Sequence, residues 1–273
     1  MKDFNIKKKS INLPKNLNEF EECINQPFCI FEKKNFLDFD LYKNLLLNFP
    51  SEDQFPAIHS NGNKKFLNNK HKEFFKFIKG NIWGDFYEML NSKKVCFEFL
   101  SLINNELKKI KNRQNLKNYL FVKNYSNKFF QKSIYKILKT INFNLVRIGF
   151  EFSIIKRDCF IPPHCDTENK LLSLMIYFPP NNDDPFFSAY ENLGTNFYKS
   201  KKTNSQSLDI WKSKYLDQNI SKKFFENYEL FYNSKFEKNK LTGFIKSDKS
   251  WHDVKKFDDD LIRRSVNINI YLV

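Results

Sequence analysis

Between Arg147 and Lys156 the chain alternates, with Ile148, Phe150, Phe152 and Ile154 at one set of positions and Arg147, Gly149, Glu151 and Ser153 at the other. A period of two sends successive side chains to opposite faces, so this stretch reads as a strand with one apolar and one polar face. Leu171 to Phe178 is a near-continuous apolar run, which suits a strand covered on both sides. Asn196–Lys199, Lys240–Ile245 and Val266–Val273 complete a set of strands separated by loops of varied length. From Asn142 onward this texture predicts an antiparallel sandwich or barrel.

Upstream the pattern is different. Phe28 to Phe36 is apolar enough for a strand, and Asp38 to Phe49 then has helical spacing at Leu41, Leu45, Leu46 and Phe49. Asp38 or Asp40 can cap that helix, and Pro50 ends it. Phe74–Ile78 and Phe86–Leu107 carry further helical patterns, while Ser51–Asn69 is polar and reads as a loop. No internal repeat or low-complexity linker divides the sequence. The expected organisation is one domain over residues 1–273, mainly helical through 1–140, with a strand-built core from 141 to 273.

Composition limits the partners. The 32 Phe and 12 Tyr exclude a disordered chain. The formal charge of +15 invites a nucleic-acid reading, yet 41 of the 46 basic residues are Lys, and Ala occurs only at 57 and 189. Selection for phosphate binding would favour the planar fork of Arg. Ten basic residues and no acidic one lie between Leu107 and Thr140, and a solvated face is the plainer account of them. Five cysteines without a Cys-x-x-Cys pair fit reduced thiols in a cytoplasmic protein. Met1–Asn16 is polar around Lys7-Lys8-Lys9, and the longest apolar stretch, near Leu171–Pro180, is far too short for membrane insertion.

Four histidines stand out in this background. His164 and Asp166 flank Cys165, and in extended backbone residues i and i+2 share a face, so an imidazole and a carboxylate can converge on one ion. His252 follows 86 residues later, after the strand-like Leu241–Lys246. His-x-Asp with a distant His is the donor set of the facial triad that binds Fe(II) and leaves open positions. Eleven residues beyond His252, Arg263-Arg264-Ser265 opens the last strand. Alternation places Arg264 with Val266, Ile268 and Ile270, and Arg263 with Ser265, Asn267 and Asn269. A guanidinium with a hydroxyl two residues on is a receptor for a carboxylate.

Taken together, His164-x-Asp166, the strand Lys170–Phe178, Gly194-Thr195-Asn196-Phe197-Tyr198, Trp251-His252 and Arg263-x-Ser265 resemble the 2-oxoglutarate- and Fe(II)-dependent oxygenases, in particular their prolyl 4-hydroxylase-like branch. The likeness covers about Val146 to Val273, and Pro27–Pro50 is similar to the strand and helix that precede the core in that branch. It implies an α+β fold: a double-stranded β-helix (a cupin-like jelly roll) with the N-terminal helices packed on one sheet. It implies that His164, Asp166 and His252 bind Fe(II) and that Arg263 and Ser265 hold the distal carboxylate of 2-oxoglutarate. O2 is the oxidant, and ascorbate is a candidate requirement for sustained activity. The implied reaction releases succinate and CO2 and hydroxylates a peptide side chain, an amino acid or another small metabolite.

The branch often has a Tyr on the strand before His-x-Asp, whereas Phe150–Ile155 has none; Tyr177, on the following strand, is the candidate substitute. The remaining residues take plainer readings. His59 is an exposed loop residue, with a role in covering the site as the lesser alternative, and His71 sits among lysines. Asp253 points away from His252 into solvent. Cys159 and Cys165 are spectators, Cys165 being oxidation-prone if exposed. Two competing functions stand beside the oxygenase: a non-catalytic jelly-roll binding module, and an oxygenase acting on nucleic acid through the basic 107–140 segment. The Lys-only character of that segment speaks against nucleic acid as a partner. Specificity falls to the loops Ser51–Asn69 and Asn181–Glu191, which have the least pattern.

Overall fold

The alternating segment forms the twelve-residue strand β6 (Asn144–Ile155). Ile148, Phe150, Phe152 and Ile154 are buried on the face that meets the helices, as the period of two predicts. The computed structural model describes residues 11–60, 62–110, 118–123, 143–179, 193–201, 218–257 and 260–273. β6 lies in a nine-stranded sheet ordered β1 (Glu22–Ile24), β2 (Ile30–Lys33), β11 (Leu241–Ile245), β8 (Lys170–Tyr177), β13 (Arg263–Leu272), β6, β4 (Lys65–Asn68) and β3 (Ala57–Ile58). β5 (Tyr119–Phe121) adds to β6 in parallel, and every other pairing in the sheet is antiparallel.

A second sheet of four strands has the order β10 (Tyr228–Ser234), β9 (Thr195–Ser200), β12 (Trp251–Val254) and β7 (Ile161–His164). Between β6 and β13 the chain passes repeatedly from one sheet to the other: β6, β8, β11 and β13 belong to the large sheet, and β7, β9, β10 and β12 to the small one. This is the double-stranded β-helix expected from the sequence. Ile30 and Phe244 of the large sheet pack against Phe197 of the small one, so the inner faces meet in a filled interior.

Helices α1 (Phe39–Leu47), α2 (Lys72–Ile78), α3 (Ile82–Leu90) and α4 (Lys93–Leu102) cover the outer face of the large sheet, followed by α5 (Asn104–Lys109). Asp38 caps α1 by accepting from the Asp40 and Leu41 amides, as its position suggested. The long helical pattern Phe86–Leu107 is broken where Ser92 caps a new start by accepting from the Val95 amide. Trp83 is the hub of this layer, with its ring 4.7 Å from Phe152 and 5.5 Å from Phe178. A last helix, α6 (Gln218–Asn227), precedes β10 and lays Phe224 on Trp251 of the small sheet.

One expectation is corrected. Ser51–Asn69 is not a plain loop, because it contains the hairpin β3–β4, which extends the large sheet beyond β6. Its hydrophobic signal is thin, yet Leu67 is fully buried, and Lys64 and Lys65 find carboxylates in Glu151 and Glu52. The turn is made by Gly62 and Asn63, both at positive φ. The Gly62 carbonyl accepts from the Phe160 amide at 2.9 Å, which pins the hairpin tip to the β6–β7 connection.

The five cysteines are all free thiols. No helix among the described residues is long and apolar enough to cross a membrane. Most of the basic 107–140 segment and the Asn181–Glu191 loop lie outside the described residues.

Candidate metal centre

His164 ends β7, His252 lies in β12, and these two residues are direct partners in the ladder joining the strands. Asp166 follows two residues after His164, so the extended backbone brings it to the same side. The ligand atoms of His164, Asp166 and His252 all lie within 4.8 Å of one another, the single such group among the described residues. The two imidazole centroids are 4.1 Å apart.

Backbone carbonyls decide which nitrogen of each ring faces the cluster. His164 Nδ1 lies 2.9 Å from the Pro162 carbonyl and His252 Nδ1 lies 2.9 Å from the Ser250 carbonyl. A carbonyl only accepts, so each Nδ1 carries the proton and each Nε2 carries the lone pair. Burial lowers both imidazole pKa values, His164 well below its ordinary value, so both rings are neutral as metal ligation requires. Burial works the other way on Asp166, but interactions led by the Lys170 ammonium, which also donates a hydrogen bond to it, hold the carboxyl below its usual range. Lys170 Nζ donates to Asp166 Oδ1 and Ser173 Oγ donates to Oδ2, each at 2.7 Å. Two neutral imidazoles and one ionised carboxylate, each oriented by a second partner, fit a divalent first-row metal.

The cluster opens into a cavity of about 180 Å³ between the sheets. Apolar wall is supplied by Ile161, Met175, Phe244 and Val254, and Arg263 lines the same space. Arg263 is only 2% exposed. Its Nε donates to the Leu193 carbonyl at 2.7 Å, Nη2 to Thr195 Oγ1 at 3.3 Å and Nη1 to Ser265 Oγ at 3.5 Å. These acceptors are all neutral, and no carboxylate of the described residues lies within ion-pair distance of this guanidinium. Arg264 stands on the other face, with its guanidinium 5.8 Å from the centre of the Phe49 ring in the helical layer. The alternation along β13 therefore sorts the two arginines as expected.

Tyr177 faces inward. Its ring lies 5.1 Å from the Arg263 guanidinium, and its hydroxyl is 3.0 Å from Thr195 Oγ1 and 3.3 Å from Ser234 Oγ. Asp253 departs from the sequence reading. It does point away from His252, but it is buried rather than solvated, accepting from Asn196 Nδ2 at 2.7 Å and from the Tyr198 hydroxyl at 2.8 Å. Burial pushes its pKa up to about 6. Cys165 is likewise buried, and burial raises its thiol pKa, which removes the reason to regard it as oxidation-prone.

Sequence reasoning passed over Lys170, Ser173, Lys64 and Thr195, all of which line the cavity. Ser173 shared the inward parity of Met175 and Tyr177, and Lys170 stood four residues from Asp166; both signals were available. Lys64 was hidden by the unexpected hairpin. That hairpin also brings His59 to the cavity wall, whereas His71 does not reach it. A larger hollow of about 680 Å³ lies beside α5 and the start of β2, and it contains no histidine.

The fold and the cluster define the class: a double-stranded β-helix with an inward-facing His-x-Asp and a distant His partnered across the small sheet. No family model and no curated protein matches the sequence. Solved structures do match. A Pseudomonas putida prolyl-4-hydroxylase is 9% identical with a TM-score of 0.46, over 90% of this chain and 93% of that one. The viral collagen prolyl hydroxylase of Paramecium bursaria Chlorella virus-1, described as a 2-oxoglutarate complex, is 11% identical with a TM-score of 0.42, over 89% and 96%. The non-heme alpha-ketoglutarate-dependent epimerase SnoN is 9% identical with a TM-score of 0.44, over 88% and 76%. Likeness at this level assigns no role to any residue.

Proposed function

We infer that this chain is an Fe(II)- and 2-oxoglutarate-dependent oxygenase. One observation carries the reading: a neutral-His, ionised-Asp donor set shares a cavity with a buried guanidinium whose hydrogen-bond acceptors among the described residues are all neutral. A buried cation without a counter-charge is costly, and a dicarboxylate that reaches from the donor set to Arg263 relieves that cost. Fe(II) with 2-oxoglutarate supplies the activation of O2, with release of succinate and CO2. The substrate is a peptide side chain, an amino acid or another small metabolite, and hydroxylation is the outcome we assign.

The residues divide the work. His164, Asp166 and His252 offer one donor atom each, and the Pro162 and Ser250 carbonyls hold the imidazoles in the tautomer that presents Nε2. Arg263 and Ser265 receive the distal carboxylate, with Thr195 bridging the guanidinium to Tyr177. We assign to Tyr177, on the strand after His-x-Asp, the part of the Tyr that Phe150–Ile155 lacks; its hydroxyl lies 3.0 Å from Thr195 Oγ1, the atom that accepts from Arg263 Nη2. Ile161, Met175, Phe244 and Val254 supply the apolar part of the wall between the two stations.

The test is anaerobic titration with Fe(II) and 2-oxoglutarate. A visible charge-transfer band is expected in the wild-type protein and is absent from His164→Ala and His252→Ala. A folded wild-type protein without the band overturns the reading.

A further inference from the structure

A file of hydroxyls crosses the interior from Arg263 to Glu32. Arg263 Nη2 donates to Thr195 Oγ1 at 3.3 Å, Thr195 Oγ1 is 3.0 Å from the Tyr177 hydroxyl, and that hydroxyl is 3.3 Å from Ser234 Oγ. Ser234 Oγ is 2.6 Å from Thr242 Oγ1, which bonds Glu32 Oε1 at 3.2 Å. The strands fix this order. Thr195 and Ser234 are ladder partners in β9 and β10, as Thr242 and Glu32 are in β11 and β2, and Tyr177 of β8 joins the two pairs across the gap between the sheets. All five side chains are buried.

The far end sets the direction of every proton in the file. Lys240, itself buried, places Nζ 3.1 Å from Glu32 Oε2, so this ion-paired carboxylate only accepts. The Tyr232 hydroxyl, its pKa raised by burial and by the Glu32 charge, is a further donor to it. Thr242 therefore gives its proton to Glu32, and the Ser234 proton fills the 2.6 Å contact to Thr242. Ser234 then has nothing to offer Tyr177, so the Tyr177 proton fills that contact and the Thr195 proton fills the next. Thr195 has one other acceptor, the Met175 sulfur at 3.5 Å, and a thioether accepts weakly. Any other arrangement leaves two buried oxygens facing each other without a proton between them, which is costly. Each hydroxyl thus points away from Arg263.

Thr195 is the member of the file that lines the cavity beside Arg263. Resting on the oxygenase reading, we propose that Glu32 is a positioning residue for the cosubstrate: acting through the file, it keeps the Thr195 proton turned from the cavity, so that Arg263 receives the distal carboxylate beside an oxygen that only accepts. The hold on that carboxylate is weaker than the same side chains could give. Succinate keeps the same distal carboxylate, so the weaker hold speeds its departure and clears the station for the next turnover.

A single amide reverses the file. In Glu32→Gln the side-chain oxygen stays with Lys240, which only donates, and the amide nitrogen faces Thr242 as a donor. Every proton then turns toward Arg263, and the Thr195 proton becomes available to the carboxylate. Thr242→Val arrives at the same state by another route, since Ser234 loses its acceptor there and turns to Tyr177.

The test is calorimetric titration of 2-oxoglutarate into the protein loaded with Mn(II) in place of Fe(II), without O2. Both variants are expected to bind 2-oxoglutarate about 3- to 10-fold more tightly than the wild type, the range of one added hydrogen bond. Competition by 2-oxobutyrate, which lacks the distal carboxylate, is expected to be equal in all three proteins. A loosened fold weakens binding, so tightening separates positioning from a merely structural role. Unchanged or weaker 2-oxoglutarate binding in either variant, once folded and Mn(II)-loaded, overturns the proposal and leaves the oxygenase reading standing. Equal tightening of 2-oxobutyrate does the same. A wild-type protein that takes up no Mn(II), or no 2-oxoglutarate once loaded, overturns both.

Discussion

Arg263 and Arg264 are neighbours with opposite fates, and the difference is one of strand parity. Arg263 is enclosed among neutral acceptors beside the donor set, whereas Arg264 lies against Phe49 outside. Arg263→Ala should weaken 2-oxoglutarate binding on the order of 10- to 100-fold, the loss expected for charge-assisted hydrogen bonds, while leaving Mn(II) affinity nearly unchanged. Arg264→Ala should leave 2-oxoglutarate affinity within about twofold; calorimetry on both variants decides. Protonation gives a second expectation. The unfolded chain protonates its histidines near pH 6.5, but burial holds His164 and His252 neutral to lower pH. Below about 6.5 the unfolded state binds more protons, so stability of the metal-free protein falls as pH falls. Asp253, raised to about 6, has the opposite sign: its contribution is present at low pH and lost as pH rises through 6. The two imidazoles outweigh the one carboxyl, so the melting temperature should drop between pH 7.5 and 5.5, and drop further in Asp253→Asn. A flat profile in both proteins would count against neutral buried imidazoles.

At the scale of elements, strands with strong patterns were legible and those with weak ones were not. β6 and β8 were readable because their apolar positions follow the pleat and meet a helical layer. β3 and β4 were not, because their stability comes from edge pairing with β6 and from ion pairs between residues distant in sequence, such as Lys64–Glu151. Local propensity does not report such tertiary support. The hairpin tip depends on Gly62, at φ 89°, where an added Cβ would meet the Phe160 carbonyl oxygen at 2.0 Å. Gly62→Ala should therefore undock the tip at a cost of about 1–3 kcal/mol. Limited proteolysis should cut between 59 and 64 in the variant and spare the wild type, with the circular dichroism of the two unchanged.

For the whole molecule, the aromatic richness resolves into the layer between the large sheet and α1–α4. Trp83, fully buried, touches Phe86, Phe152 and Phe178. Trp83→Ala should cost about 3–5 kcal/mol, read as a lower urea midpoint, and a loss below about 1 kcal/mol would show that the helical layer is not part of the cooperative core. The metal donors were legible because few histidines compete for attention and because order along the chain mirrors order in the jelly roll. The Lys170 and Ser173 contacts to Asp166 were not, since they depend on which side chains the fold brings to one space. The pairing of His164 with His252 across β7 and β12 has a consequence for folding itself. An ion gripped by both residues joins chain positions 88 apart, so it acts as a removable crosslink that closes a long loop at small entropic cost per added residue. Only the chain with its small sheet assembled presents that grip, so metal concentration becomes a dial on global stability, and metal uptake reports when the last strands have closed.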